Sequence, residues 1–506
     1  MKKFKFLSYI SLSITALLFT GCSKDFLKEG PTDLISTDQL TQAAKQDPGL
    51  LNGNIAGLYT TMYATGTGGT DLNHDDFGQK GYDIFTDMLC SDMVLGAVNY
   101  GWYTNIVRYQ VSLDYTQTED YMVWRYYYRI IFGANTVIDA LGGNDAKLET
   151  AEAKHTMGQA KAMRAYAYFY LTQFYSKEYG DGSQKILPIY DNTKVPNQSK
   201  STAKDVFNLV VSDLTDAISN LSDFNRSTKD QVDATVAKGL LSYALAYRGS
   251  TDDLKQVISL TSDIMNSHYP LTDSLQAVAR FDANGKVINP KSGFNNISTP
   301  SWMWGVDLTL ASDLDLVSWW GQVDMFTYSY AWAGDPKLID LGLYNAIRPD
   351  DIRKSQFVFT GGFRGQPINK FFDPNRKIGG QRNVTTDYIY MRSDEFTLLN
   401  AEAHARLGDD DLARQSLKKL LDLRIKDDSY IANLSGKALL DEIYLQTRIE
   451  FWGEGKSYLA MKRLKMTITR GSNHLYDAGK SFAYNADELS FLIPQSEVQN
   501  NPVLNK

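Results

Sequence analysis

The segment 151–175 constrains the fold more strongly than any other part of the chain, because it has the apolar period of a helix on two faces. One face is lined by Ala160, Met163, Ala167, Tyr170, Leu171 and Phe174. A second face carries mostly small residues: Gly158, Ala162, Ala165 and Phe169. A helix with two apolar faces is stable only when it packs between neighbours. The sequence therefore predicts a stack of helices.

Helical periodicity recurs elsewhere and supports the same architecture. We predict further helices over residues 202–221, 234–248, 252–267, 396–407 and 413–421. The run from Leu398 to Ala403, followed by Leu407-Gly408 and Leu412-Ala413, resembles a tetratricopeptide repeat, a helix–turn–helix unit of about 34 residues. We therefore predict a mostly α fold, a tetratricopeptide-repeat-like superhelix with long irregular loop insertions that form the ligand face.

Two insertions, 176–200 and about 268–392, interrupt the predicted helices. The larger one is rich in Gly, Asn, Pro and aromatic residues and lacks a sustained helical period. Loops of this size in a compact protein usually serve a function. The larger insertion and the glycine-containing segment 99–103 are therefore the predicted positions of a ligand site.

Aromatic clusters in these segments predict a surface that binds carbohydrate. The flat C–H face of a sugar ring can lie on an aromatic ring, while nearby polar groups bind the sugar hydroxyls. The candidate ligand-binding residues are Asn99, Tyr100, Trp102, Tyr103, Trp319, Trp320, Tyr328, Tyr330 and Trp332. The alternative is that these rings pack the loops onto the helices. Trp124 and Trp452 lie in helical segments and are assigned to the core.

The N-terminus has the pattern of a bacterial lipoprotein signal. Three lysines precede the apolar stretch 6–20, and Gly21 precedes Cys22. About 15 apolar residues are too few to span a bilayer comfortably, and no later run is long enough. We predict a signal peptide over 1–21, lipidation of Cys22, a tether over 22–36 and a single domain over 37–506. Loss of the three lysines would change the net charge from −7 to −10, and Cys90 alone could not form an internal disulfide.

Motifs for chemistry are missing from the sequence. The five His are scattered, and no metal-binding, phosphate-loop or nucleophile-elbow pattern occurs. Asp71, Asp75, Asp76 and Asp83 are interpreted as a solvated acidic loop. No basic block suits nucleic acid, because phosphate binding needs clustered Lys and Arg. The predicted protein is not an enzyme and has no catalytic residues, metal or cofactor.

Several motifs in fixed order resemble the SusD/RagB family of nutrient-binding lipoproteins, and the resemblance runs over essentially the whole chain. They are Cys22-Ser23-Lys24-Asp25-Phe26-Leu27, the helix from Ala160 to Phe169, Tyr179-Gly180, Leu187-Pro188, the run from Arg448 to Gly455, the run from Leu492 to Glu497, and Asn501-Pro502. Within them, Arg164, Arg448 and Glu450 are interpreted as structural ties between helices.

The resemblance implies a function. Members of this family are lipid-anchored at the outer membrane, face the cell exterior, and deliver a glycan to a SusC-like TonB-dependent transporter. Two alternatives stay open from the residues alone. With 59 acidic residues, some carboxylate pair could serve a cell-surface glycan hydrolase, and a helical repeat could be a scaffold that binds a protein.

Overall fold

Most of the regular structure is helical. The computed structural model describes residues 37–71 and 73–506; the predicted signal peptide, Cys22 and the tether lie outside these residues. The helices are α1 (Thr37–Gln46), α2 (Asn52–Thr61), α3 (Gln79–Leu89), α4 (Thr104–Val107), α5 (Gln110–Leu113), α6 (Thr118–Ala140), α7 (Ala151–Tyr175), α8 (Ala203–Asn220), α9 (Ala234–Arg248), α10 (Thr251–Met265), α11 (Ser274–Ala277), α12 (Trp319–Val323), α13 (Tyr330–Ala333), α14 (Leu341–Ala346), α15 (Ser393–Leu407), α16 (Asp410–Leu421), α17 (Gly436–Glu450), α18 (Ser457–Arg463) and α19 (Gln495–Asn500).

Short strands form four antiparallel pairs, β1 with β5, β2 with β3, β4 with β6, and β7 with β8. The strands are β1 (Met93–Leu95), β2 (Lys185–Pro188), β3 (Lys200–Thr202), β4 (Trp302–Val306), β5 (Lys337–Ile339), β6 (Tyr388–Arg392), β7 (Ile468–Thr469) and β8 (Ser481–Phe482). The first and third pairs join residues that are far apart in sequence. These strands therefore fasten loops to the helices.

The long helices pack in sequence order, which confirms the predicted mostly α stack. Helices α6, α7, α8, α9 and α10 each pack against the next, and α15 then packs against α10, α16 and α17. Helix α7 is buried continuously from residue 156 to 175, as its two apolar faces require. Thr202 caps α8 by accepting a hydrogen bond from the Asp205 backbone N–H, 3.1 Å away. Gly408 ends α15 in the left-handed conformation, with φ +84°.

The larger insertion leaves the stack after α10 and returns at α15. Because these two helices are neighbours, the stack continues as if the insertion were absent. The pairing of β4 with β6, with Trp302 opposite Arg392, closes the base of the insertion. Within the described residues, each helix is too short or too polar to cross a lipid bilayer. Cys90 is a buried thiol without a disulfide.

Buried ion pairs tie the elements together, as predicted for Arg164, Arg448 and Glu450. Arg164 of α7 donates to both carboxylate oxygens of Asp213 on α8, at 2.7 Å each. Arg448 donates to Asp92 at 2.8 Å. Trp124 and Trp452 are buried, which confirms their assignment to the core.

Glu450 forms ion pairs with three buried arginines, with 2.8 to 3.0 Å between guanidinium nitrogen and carboxylate oxygen. They are Arg353, Arg392 and Arg424. Burial alone would raise the pKa of the Glu450 carboxyl, but these guanidinium charges hold it well below its ordinary value. Arg353 and Arg392 come from the insertion and its closing strand, whereas Glu450 ends α17. The cluster therefore fastens the insertion to the helical stack.

The interpretation of the segment 71–83 as a solvated acidic loop is wrong for three of its four acids. Asp75, Asp76 and Asp83 are buried, and only Asp71 is exposed. Asp76 accepts hydrogen bonds from the Gly68 and Thr70 backbone N–H groups, at 2.8 and 3.2 Å. Asp83 pairs with Lys80 at 2.8 Å. Loop N–H groups therefore hold Asp76 in the interior, and a buried ammonium holds Asp83 there.

Candidate functional site

Two aromatic segments that are distant in sequence meet at one edge of a small sheet. Strand β1 pairs with β5, with Leu95 opposite Lys337, so the chain after β1 and the chain before β5 leave the same end. The carboxylate of Asp335 then accepts the backbone N–H groups of Asn99 and Tyr100, at 2.7 and 2.8 Å. The Asn99 side-chain amide also donates to the Gly334 carbonyl at 3.0 Å. These bonds hold segment 99–102 beside segment 328–335.

The two segments enclose a cleft of about 480 Å³, called the first cleft here. Its walls are Tyr100, Leu316, Tyr328, Ser329, Tyr330, Trp332 and Ala333. Tyr100 and Trp332 remain 54% and 44% exposed, and Tyr328 is half-buried. Tyr100 meets Tyr330 edge to face at 5.0 Å between ring centroids, and Tyr328 lies 5.5 Å from Trp332. The cleft thus offers several aromatic surfaces to a ligand.

A glycine supports the exposed tryptophan from one side. Gly379 has φ +61°, and a Cβ atom there would lie only 2.7 Å from Cε2 of Trp332. The Trp332 ring therefore rests against backbone, a close approach that only glycine allows. Arg382 follows on the same segment, and its guanidinium lies 4.9 Å from the centroid of Tyr328. Segment 376–382 is thus one border of the first cleft.

His74 links the rings behind the first cleft. Its imidazole stacks on Trp102, with 5.0 Å between centroids and 6° between planes. Its Nδ1 lies 2.6 Å from the Tyr330 hydroxyl. Burial lowers the pKa of His74, opposed by the charge of Asp315, so the ring is neutral at pH 7. His74 therefore fixes Trp102 and Tyr330 without adding a charge.

A polar layer lies beneath these rings. Lys337 donates to Gln322 Oε1 at 2.9 Å, and Gln322 donates to the His74 carbonyl at 2.7 Å. The Lys337 ammonium lies 5.0 Å from the centroid of Tyr103. Burial lowers the pKa of Lys337 to about 7, opposed by the charges of Asp335 and Asp75. This layer supports the rings from the interior.

The expectation of exposure is wrong for three of the nine candidate residues. Tyr103, Trp319 and Trp320 are 1%, 2% and 1% exposed. Trp319 packs against Phe371 at 4.6 Å between centroids, and Tyr103 packs edge to face on Phe85 at 5.6 Å. These rings fill the core between the insertion and the helices and are out of reach of a ligand. Tyr330 is also largely buried, but its ring borders the first cleft.

The structure adds site residues that the sequence did not indicate. His74, Leu316, Ser329, Asp335 and Arg382 carry no motif, and only Ser329 and Asp335 lie in the same segment. The only available signal was the serine that precedes the run 330–333, because serine is a common N-cap. Ser329 indeed accepts the Trp332 backbone N–H at 3.0 Å. This bond fixes the backbone at Trp332.

A larger cleft of about 840 Å³ lies elsewhere, between the turn after α7 and the C-terminal segment. The ion pair between Lys177 and Asp487 borders it. Two of its three aromatic rings, Tyr175 and Phe491, are buried. It therefore offers a ligand less exposed aromatic surface than the first cleft does.

Two protein-family models and a known relative match this chain. Residues 79–243 match a family model described as "Starch-binding associating with outer membrane", and residues 350–506 match a model described as "SusD family". A SusD-like protein of Bacteroides ovatus is 23% identical over 493 residues, covering 89% of this chain and 81% of that protein.

Solved structures share the fold. A SusD-like carbohydrate-binding protein of Bacteroides vulgatus superposes with a TM-score of 0.72 and 21% identity, covering 90% of this chain and 97% of that one. The surface glycan-binding protein A of Bacteroides thetaiotaomicron, in complex with laminarihexaose, superposes with a TM-score of 0.62 and 15% identity, covering 90% and 98%. The helical stack with its insertion is therefore a recurrent architecture.

Proposed function

This chain belongs to the SusD family, and on that premise we propose that it binds an oligosaccharide in the first cleft at the outer membrane. The observation that carries the proposal is the exposure of Tyr100 and Trp332 at a cleft whose rings are held in place by Asp335, His74 and Gly379. Positioned rings of this kind bind the apolar faces of sugars.

The physical basis is preorganisation. A ligand that binds to mobile side chains must also order them, at about 0.5–1.5 kcal/mol for each rotamer-rich side chain. Here Trp332 rests on Gly379, and the backbone of Tyr100 is held by a carboxylate. These two residues are therefore already ordered in the folded protein, so the ligand does not have to order them. A shallow, solvent-exposed cleft can therefore retain a useful affinity.

The proposal includes delivery and anchoring. We propose that Cys22 is lipidated, that the protein faces the cell exterior, and that it passes the oligosaccharide to a SusC-like TonB-dependent transporter. The family description that names outer-membrane association supports the location. The solved relative that holds laminarihexaose supports a glycan as the class of ligand.

We propose binding without hydrolysis, and the use of the buried carboxylate of Asp335 supports it. A glycosidase needs two carboxyl groups that flank the scissile bond. Asp335 accepts one backbone N–H bond at each of its oxygens and so holds segment 99–102. The residues that line the cleft are apolar, aromatic or hydroxyl-bearing. This chemistry suits recognition of a sugar rather than cleavage of its bonds.

The test is incubation of the full chain in detergent with a panel of uncharged and acidic glycans. We expect one class of glycan to be depleted from solution without the appearance of new reducing ends. New reducing ends would instead support the hydrolase alternative. If no member of the panel is retained, the proposed function is wrong.

A further inference from the structure

A second cleft lies next to the first. It encloses about 700 Å³ and is bordered by rings from three parts of the insertion, among them Phe281, Phe326 and Phe372. Phe326 is two residues from Tyr328 of the first cleft, a span of at most about 7 Å along the chain. The backbone N–H of Gly380 donates to the Phe326 carbonyl at 3.1 Å. The two clefts therefore share segment 376–382 as a common border.

Arg376 forms part of the wall of the second cleft. Its guanidinium carbon lies 4.3, 4.6 and 5.0 Å from the ring centroids of Phe326, Phe372 and Phe281. It donates to the Ile368 carbonyl at 2.6 Å and to Asn369 Oδ1 at 3.2 Å. Two hydrogen bonds leave part of a five-donor group available. The charge is thus held in place by rings while some of its donors remain unused.

Arg376 lacks the carboxylate partner that other buried arginines have. Arg353, Arg392 and Arg424 each form ion pairs. Among the described residues, no carboxylate oxygen lies within 4.0 Å of the Arg376 guanidinium. Burial lowers its pKa to about 10, so it is charged at neutral pH. A half-buried, unpaired guanidinium costs free energy unless an anion compensates it.

The nearby acids are committed to other donors. Asp324 accepts the Phe326 N–H at 3.0 Å, the Thr327 hydroxyl at 2.8 Å and the Asp373 N–H at 3.0 Å. Asp282, in the turn that carries Phe281, accepts two backbone N–H groups at 2.9 Å. Lys286 lines the same cleft and is exposed. The charge of Asp324 acts on Arg376 from a distance, but neither acid forms an ion pair with it, so its remaining N–H donors are open to an anion of a ligand.

The first cleft repeats this arrangement. Arg382 stacks on Tyr328 and is exposed. Neither Arg382 nor Lys377 has a carboxylate within 4.0 Å among the described residues. Segment 376–382 thus presents three unpaired cations along the border shared by two aromatic clefts, in a chain whose net charge is −7. An isolated surface cation would not have this repeated pairing with rings.

We propose that the ligand is an acidic glycan and that Arg376 binds an anionic group of it, a carboxylate or a sulfate ester, in the second cleft. This inference rests on the proposed function. Guanidinium groups bind planar carboxylates and sulfate oxygens through paired, charge-assisted hydrogen bonds, and the phenylalanine rings provide surfaces for the sugar. An oligosaccharide that occupies both clefts places a second anionic group near Arg382.

The experiment titrates the full chain, in detergent, with three probes: an oligogalacturonate, a sulfated galactan oligosaccharide and uncharged laminarihexaose. We expect at least one charged probe to bind more tightly than the uncharged one. Arg376→Gln should weaken binding of that charged probe by about 10- to 100-fold, because charge-assisted hydrogen bonds are lost, and should weaken any binding of the uncharged probe much less. The charged probe that is affected identifies carboxylate or sulfate.

Controls separate this inference from loss of folding. Arg129→Gln removes the same charge from an exposed position on α6 and should change neither affinity nor Tm. If Arg376→Gln lowers Tm, Arg376→Lys is measured in its place, because it keeps the positive charge. The affinity of the wild type for the charged probe should also fall steeply as the salt concentration is raised.

Two outcomes overturn the inference. If only uncharged glycans bind, or if Arg376→Gln weakens charged and uncharged probes equally, the ligand is not selected by its charge, and the proposed function stands alone. If neither these probes nor the wider panel binds, the proposed function fails as well.

Discussion

At the scale of single residues, similar local sequences can place one tryptophan in the core and another at the surface. Trp320 and Trp332 both lie in short helices of the same insertion, and each helix begins after a serine that caps it. Trp320 is buried and Trp332 is exposed. The difference comes from Phe371, which covers the Trp319–Trp320 pair from about fifty residues away. Local sequence could predict a ligand surface rich in rings, but it could not assign each ring.

Asp75 makes a testable contribution to the pH dependence of stability. It is buried, and its Oδ1 has no hydrogen-bond partner among the described residues. Burial raises the pKa of Asp75 to about 8, and the charge of Glu119 adds to this effect. The folded state therefore binds one more proton than the unfolded state between about pH 4 and 8. Stability from this group is present at low pH and is lost as the pH rises towards 8.

We expect Asp75→Asn to remove that dependence. The Tm of the variant minus the Tm of the wild type should increase from pH 5 to pH 8, measured by thermal unfolding in matched buffers. A difference that is constant, or that decreases over this range, would contradict the buried, protonated state of Asp75.

At the scale of elements, helices were predictable and strand pairs were not. The observed bounds Ala151–Tyr175 and Ala234–Arg248 coincide with the predicted segments. In a long helix the apolar residues recur at helical spacing over several turns, so the pattern marks the whole element. Strands β1 and β5 have three residues each, too few for a period, and their pairing joins Leu95 to Lys337, 242 residues further along the chain. The sequence therefore indicated two aromatic segments without indicating that they meet.

Asp335 joins the two aromatic segments, and we expect this link to matter most for the shape of the first cleft. Asp335→Asn replaces one acceptor oxygen by an amide, so the backbone N–H of Asn99 or Tyr100 loses its partner, at a cost of about 1–3 kcal/mol. Segment 99–102 should loosen, and affinity for the bound glycan should fall about tenfold. Asp313→Asn, at an exposed position of the same insertion, is the matched control. Equal affinities of both variants and the wild type would show that this link does not shape the site.

At the scale of the whole molecule, a rigid stack carries a fastened insertion. Arg353 and Arg392 anchor the insertion to Glu450 of the stack, and Glu454 accepts Arg392 and Lys370. Burial alone would raise the pKa of Glu454, but the charges of Arg392 and Lys370 lower it to about 2. The sequence predicted the stack and the insertion. It could not predict this ionic cluster, because its members are spread over about one hundred residues.

Membrane attachment is the prediction that concerns the entire chain. Cys22 directly follows Gly21 and the apolar N-terminal stretch. Cys22→Ser removes the thiol that would carry the lipid, so the protein should leave the membrane fraction without detergent. Cys90→Ser, at the other cysteine, is the control for the loss of a thiol. A Cys22→Ser variant that stays in the membrane fraction would contradict lipid anchoring.

The central claim is that the exposed rings of the first cleft bind glycan while the buried rings hold the fold. The most direct measurement compares Trp332→Ala with Trp320→Ala, each assayed for Tm and for affinity towards the glycan that the wild type binds. Loss of a stacked ring at Trp332 should cost about 1–3 kcal/mol of binding, by analogy with bases stacked on aromatic side chains, which is roughly 5- to 150-fold in Kd. Its Tm should be nearly unchanged, because the ring is half exposed.

Trp320→Ala should behave in the opposite way and lose about 3–5 kcal/mol of stability, since it leaves a cavity in the core. We therefore predict that Trp332→Ala loses glycan affinity and keeps its Tm, whereas Trp320→Ala loses stability. Unchanged glycan affinity in Trp332→Ala, or a Tm loss in Trp332→Ala as large as that in Trp320→Ala, would contradict it.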